Sequence, residues 1–131
     1  MNIVELENDL KQLQQIELET NHLFADGVYT RELIIPKGAV LIGKRHRYAT
    51  TNILLKGKMT IYDEHSSFTV EAPFMAVAEP LTKKMGYAHE DSIWVNIHPT
   101  NETDLDIIEK QFIIEENEYL QLQGKDSECL G

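Results

Sequence analysis

An all-β core flanked by helices is the fold class that this sequence predicts, and three observations carry the prediction. Between residues 27 and 99 the chain breaks into short runs rich in β-branched and aromatic residues, each bounded by Gly, Pro, Asp or Ser. No helical period interrupts these runs, which argues for an antiparallel sandwich or barrel. On either side of them, apolar residues recur at three- and four-residue spacing instead.

The first helical stripe is Ile3, Leu6, Leu10, Leu13 and Ile16, with Glu and Gln on the opposite face. It predicts an N-terminal helix over residues 1–20, packed on its own domain or on a second subunit. From Gly27 the period changes. "VYTRELIIP" ends at a proline and "KG" turns the chain. "AVLIG", "NILLKG", "KMTIYD", "FTVEAP", "FMAVAEP", "KKMGYA" and "SIWVNIHP" follow as candidate strands. "LLKGKM" and "YDEHSSF" have the composition of hairpin connections. After Pro99, Thr100, Asn101 or Thr103 offers an N-cap, and acids crowd the first turn, where a helix dipole favours them. Leu105, Ile108, Phe112 and Ile113 make the apolar face of a helical segment over 101–123, which "EENEYLQL" continues or follows with a second short helix. Residues 124–131 are expected to be a frayed, flexible tail.

With 131 residues and 42 % hydrophobic content the chain makes one domain with a core of its own. No apolar run approaches the ~20 residues of a membrane span. The acidic, polar start is unlike a signal peptide. Cys129 has no second cysteine to pair with, so a cytoplasmic location is the expectation. The net charge of −10 resides at the ends: −4 over residues 1–20, −7 over 101–131, and +1 between them. Long-range repulsion makes duplex nucleic acid a poor partner for so acidic a protein. A small anion held by a few inward cations remains open to it. Basic residues cluster at Lys44, Arg45 and Arg47 and at Lys83 and Lys84.

The stretch from Pro36 to Met59 has a recognisable spacing. Gly38, Lys44, His46, Thr50 and Gly57 fall where the first cupin motif has a glycine, two histidines, a glutamate and a second glycine. Pro80, Met85 and His89 fall at the proline, histidine and asparagine of the second motif. The region 27–99 therefore resembles a cupin, the small antiparallel jelly-roll barrel. More narrowly, the "GYAHED" ending resembles that of small uncharacterised cupin-like proteins of phages and bacteria. The resemblance implies the fold and a pocket inside the barrel. Of four ligand positions only His46 is retained; a lysine repels a divalent ion and a thioether suits a hard one poorly. No metal and no cofactor are expected.

Strand alternation places Lys44, His46 and Tyr48 on one face, with Arg45 and Arg47 on the other. Trp94, Asn96 and His98 share a face of the last strand, and the aliphatic Ile93, Val95 and Ile97 read as plain core. The Trp-Asn-His face lines either a polar pocket or an interface. The candidate ligand-binding set is Lys44, His46, Tyr48, Thr50, Tyr62, Met85, Tyr87, Trp94, Asn96 and His98. In it Lys44 and His46 would neutralise an anion, and Trp94, Tyr62 or Tyr87 would stack on a flat ring. The first functional reading is a metal-free binding module for an anionic or nucleotide-like molecule, a class that includes a signalling nucleotide sequestered in a phage setting. The second is a structural homo-oligomer. The third is a metal-independent epimerase or isomerase that uses His46 with Tyr48 or Tyr62.

Overall fold

The computed structural model describes residues 2–10 and 17–130, with backbone only at residues 10 and 125–130. Leu13 and Ile16 of the expected first helix lie outside the described residues, as do the side chains of Leu10 and Cys129.

Helix α1 (Ile3–Leu10) is capped by Asn2, whose side chain accepts from the Glu5 amide. The next described element is a strand, β1 (Glu19–Ala25), where the helical stripe was expected to run to residue 20. The physical reason is local. Asp26-Gly27 makes a two-residue turn with Gly27 at φ 75°, and this folds β1 back on β2 (Val28–Ile35) in register from Glu19↔Ile34 to Ala25↔Val28. Asn101 accepts from the Gly27 amide and pins that turn to the far end of the chain.

The chain continues through β3 (Val40–Ile42), β4 (Arg45–His46), β5 (Thr50–Lys56), β6 (Lys58–Tyr62), β7 (Ser67–Glu71), β8 (Phe74–Ala78), β9 (Met85–Ala88) and β10 (Ser92–His98). It closes with α2 (Leu105–Phe112), β11 (Ile113–Ile114) and α3 (Glu116–Leu130). Antiparallel strands form one five-stranded sheet in the order β1-β2-β10-β5-β8 and a facing four-stranded sheet β3-β9-β6-β7. Between them Leu33, Ile35, Leu54, Met59, Ile61 and Ala88 make the buried core.

"YDEHSSF" is the expected hairpin, held by Asp63, whose carboxylate accepts from the His65 and Ser66 amides. "LLKGKM" is not. Strands β5 and β6 lie in different sheets, and Gly57, at φ 94°, is the corner between them. A side chain there would run into the backbone at Asp91 and Ser92, so this motif glycine is required by both conformation and space.

Asp104, rather than Thr100, Asn101 or Thr103, caps α2 by accepting from the Asp106 and Ile107 amides. Thr100 and Asn101 are occupied by the Glu102 and Gly27 amides. Helix α3 runs on through the segment expected to be a frayed tail. The two-residue β11 pairs with β4, which ties the C-terminal segment to the strand that carries His46.

Candidate functional site

Register decides which side chains enter the barrel. On β10, Ser92 pairs with Ile35 and Trp94 with Leu33, and Trp94 packs against the core. The Trp94-Asn96-His98 face is therefore the interior. Ile93, Val95 and Ile97, expected to be core, lie on the outer face of the large sheet, where Val95 is nonetheless buried and Ile93 and Ile97 are half-buried. They stay out of the barrel interior because aliphatic character on one side of a strand does not say on which side the second sheet lies.

The inner face of the large sheet is tiered. Leu33, Trp94 and Leu54 form an apolar tier in register. The next is polar: Arg31, Asn96 and Asn52, with His22 beside Arg31 on β1. Asn96 donates to the Asn52 side-chain oxygen at 2.6 Å, which satisfies two buried amides against each other. Beyond them come Phe24, Tyr29 and His98, with Thr50 on the same face of β5.

Aromatic rings run through this end. His22 stacks on Tyr29 and Tyr29 on His98, with centroids 5.8 and 5.9 Å apart, and His22 Nδ1 lies 2.6 Å from the Tyr29 hydroxyl. His98 stacks on His46 at 5.4 Å, nearly parallel, and on Phe112 at 4.6 Å. The Thr50 hydroxyl donates to the Tyr48 carbonyl at 3.1 Å, so at its 3.3 Å contact with His46 Nδ1 it accepts. That leaves the His46 Nε2 lone pair free of this contact.

The electrostatics of this end are one-sided. Burial, together with the positive charges of His98, Arg31 and Lys84, holds the His46 imidazole down at about 4. His98 is lowered by burial and by Arg31, and Lys84 by burial, with the Asp63 charge acting in the opposite sense. Burial raises Tyr29, and Arg31 offsets part of that. Among the described residues neither Arg31 nor Lys84 has an ion-pair partner. At neutral pH two neutral imidazoles and two unpaired cations thus share the polar end of the barrel. Beside β1 an open cavity of about 580 Å³ leads to Arg31 and His22; Glu17 and Glu19 also line it.

The sequence-derived candidates divide. His46, Thr50 and His98 meet in the barrel, Asn96 lies one tier below them bonded to Asn52, and Trp94 one tier below that. Lys44 is exposed and bound to Glu109 on α2. Tyr48 is exposed at the rim, edge-on to Phe112. Tyr62, Met85 and Tyr87 alternate with Ile61, Gly86 and Ala88, so they lie on the outer face of the small sheet. There Tyr87 meets His89 edge-on, and His89 bonds to Thr60. The expected common inward face of Lys44, His46 and Tyr48 is also overturned, and Arg45, which does face away from His46, is buried instead of exposed. Arg45 is 3 % exposed, clamped by Glu64, Glu116 and the Leu81 carbonyl under the Tyr119 ring. Strand β4 is only two residues long, so alternation does not extend over five. Arg31 and Lys84 are the additions. Arg31 follows from extending the Tyr29-Arg31-Leu33 alternation once "VYTRELIIP" is a strand. Lys84 separates from Lys83, which is buried against Glu7 of α1.

The C-terminal segment seals this end. Phe112 covers His98, and its carbonyl accepts from the Arg47 amide at 2.7 Å. Three acids of the segment, Glu109, Glu116 and Glu118, pair with Lys44, Arg45 and Arg47. The basic cluster and the acidic end are thus partners of each other.

No protein-family model matches the chain, and no curated protein matches it. Solved structures do. KdgF from Halomonas sp. superposes with a TM-score of 0.57 at 16 % identity, over 72 % of this chain and 90 % of that one. A cupin-2 domain protein from Shewanella frigidimarina gives 0.53 at 15 % identity, over 72 % and 92 %. An RmlC-like cupin with a double-stranded β-helix fold from Methanocaldococcus jannaschii gives 0.51 at 13 %, over 68 % and 93 %. The chain has the cupin fold.

A divalent metal, which the fold implies, does not fit these residues. His46 keeps the inward ligand position, but Met85 and His89 stand on the outer face, and Thr50 replaces the carboxylate. The positive charges of Arg31 and Lys84 act on His46, and they oppose a cation there. Among the described residues no three metal-ligating side chains converge.

Proposed function

We propose that this barrel binds a small anionic, nucleotide-like molecule at its polar end without a metal. The observation that carries the reading is the pair of unpaired cations, Arg31 and Lys84, beside two imidazoles kept neutral by their surroundings. Such a cluster works against itself in the unliganded protein, and an anion relieves it. Arg31 supplies a planar fork suited to a phosphate or carboxylate, and Lys84 a point charge. Phe24, partly exposed and backed by Tyr29, offers a face for a flat ring. A signalling nucleotide is one ligand with this chemistry.

His46 is a poor general base at a value near 4, and Tyr48 and Tyr62 do not face it, so the epimerase reading gains no support from this geometry.

Calorimetric titration with 5′-AMP, inorganic pyrophosphate and adenosine tests the proposal. The two anions should bind and adenosine should not. Arg31→Met and Lys84→Met should each weaken binding at least tenfold, while Lys44→Met leaves it unchanged. Affinity should rise from pH 7 to pH 5, because the anion draws protons onto His46 and His98. No binding by either anion, or binding that depends on Lys44 and not on Arg31, would overturn it.

A further inference from the structure

The two buried amides of the polar tier are only half satisfied. Asn96 is 7 % exposed and Asn52 6 %, and the hydrogen bond between them is the one that either side chain makes among the described residues. It uses an Asn96 N–H and the Asn52 oxygen, so the Asn96 oxygen and the Asn52 amino group are left over. Neither is sealed in, because no fully buried side-chain nitrogen or oxygen lacks a partner among the described residues. Both atoms therefore open onto the space inside the barrel. Turning both amides over exchanges the two roles and nothing else. A pair bonded to itself always presents an acceptor at one end and a donor at the other.

These groups stand in line with the anion site. Register sets His22, Arg31, Asn96 and Asn52 side by side on the inner face, across β1, β2, β10 and β5. Strand spacing puts Asn96 ~5 Å from Arg31 along the row and Asn52 about 10 Å. A second anionic group does not suit the amide pair. A phosphate or carboxylate only accepts, and would leave the Asn oxygen that faces it unpaired. A neutral group with a donor and an acceptor side by side satisfies both ends. The edge of a nucleobase has that pattern, as the pairing of asparagine with adenine illustrates.

We infer that Asn52 and Asn96 read the base of the ligand, so that the site takes a mononucleotide with its phosphate at Arg31 and its base towards β5. The inference rests on the anion reading above and adds the part of the ligand that carries no charge. The span agrees with it: a sugar separates phosphate from base, as β10 separates Arg31 from Asn52. The base then lies on the β5 side of Arg31, away from Phe24 on β1. Trp94, half-buried one tier below Asn96 on the same face, flanks that side.

Calorimetric titration with 5′-AMP, the 5′-monophosphate of purine riboside, and ribose 5-phosphate tests this. All three carry the same phosphate. Purine riboside lacks the amino donor of adenine, and ribose 5-phosphate lacks the base. 5′-AMP should bind tighter than either by about tenfold or more, the effect of one or two buried hydrogen bonds. In Asn52→Leu/Asn96→Leu, 5′-AMP should fall to the affinity of the purine riboside compound, while ribose 5-phosphate binds as before. Replacing both partners with apolar groups of similar size spares the fold, which circular dichroism checks. In the native protein the side-chain amide NMR signals of Asn52 and Asn96 should move with 5′-AMP and stay in place with ribose 5-phosphate. Equal binding of 5′-AMP and ribose 5-phosphate would overturn this inference and leave the anion site standing. So would selectivity that survives the double substitution, or that is lost in Phe24→Ala instead. Binding by none of the three would overturn both readings.

Discussion

The two ends of the barrel interior differ in what they do for the fold. At one end Leu33, Ile35, Leu54, Met59, Ile61 and Ala88 bring aliphatic surface from both sheets together. Burial there is favourable by about 25 cal/mol per Å² of apolar surface. At the other end Arg31 on β2 and His98 on β10 are joined by His46 from β4 and by Lys84 just before β9, with no carboxylate paired to either cation among the described residues. Burial there is unfavourable, and His46 shows it by giving up its proton. The contrast teaches that one strand can carry a stabilising and a strained position two residues apart, as β2 does at Leu33 and Arg31. Strain held in place by the rest of a fold is a mark of a site.

Substitutions at the two ends should move stability in opposite directions. Leu54 is fully buried, and Leu54→Ala should cost about 2–5 kcal/mol in chemical denaturation, from lost transfer energy and a residual cavity. A smaller loss would mean that the apolar end is loosely packed and would blunt the comparison.

Mild acid should act on the polar end first. His46 has a folded value near 4 against an ordinary 6.5, so the unfolded chain binds the proton more tightly. Its contribution to stability is fully present above pH 6.5 and is lost as the pH falls towards 4. The loss should reach about 3 kcal/mol, at ~1.4 kcal/mol for each pH unit. His98, also lowered, adds in the same sense. His46→Asn should flatten this part of the profile; an unchanged slope in that variant would remove His46 from the account.

Lys84→Met should be neutral or stabilise the unliganded protein by up to ~1 kcal/mol, because it removes a buried charge without orphaning a partner. The same substitution should raise the His46 value measured by NMR titration. Both shifts are absent if Lys84 lies outside the cluster.

The smallest effect belongs to Lys44, two residues before His46. Its pair with Glu109 is solvent-exposed, and Lys44→Met should cost no more than ~0.5 kcal/mol. A large loss would make the seal over the barrel mouth electrostatic rather than dependent on Phe112 and the β4–β11 pairing.

Most of the strands were legible because their signals are local. Proline and glycine bound the runs, and both motif glycines occupy positive-φ corners. Strand β1 was equally legible at Asp26-Gly27, but it was masked by helical spacing that ran into it. Of the candidate site, the shared face of Trp94, Asn96 and His98 was legible from strand alternation, whereas the outward turn of Tyr62, Met85 and Tyr87 with β6 and β9 was not.

By itself the sequence determined where the chain turns, which residues alternate along each strand, and which residue types stand at the motif positions. These depend on φ, on side-chain period and on residue chemistry, all local quantities. Only the tertiary structure decided which alternating face is inside, that Arg31 and Lys84 rather than Lys44 join His46, and that Arg45 is buried. Those outcomes depend on which strand pairs with which and on the C-terminal segment docking more than 60 residues away in the chain, as at Lys44 and Glu109. A one-residue change of register reverses every side chain on a strand, so no strand read alone can say which way it faces.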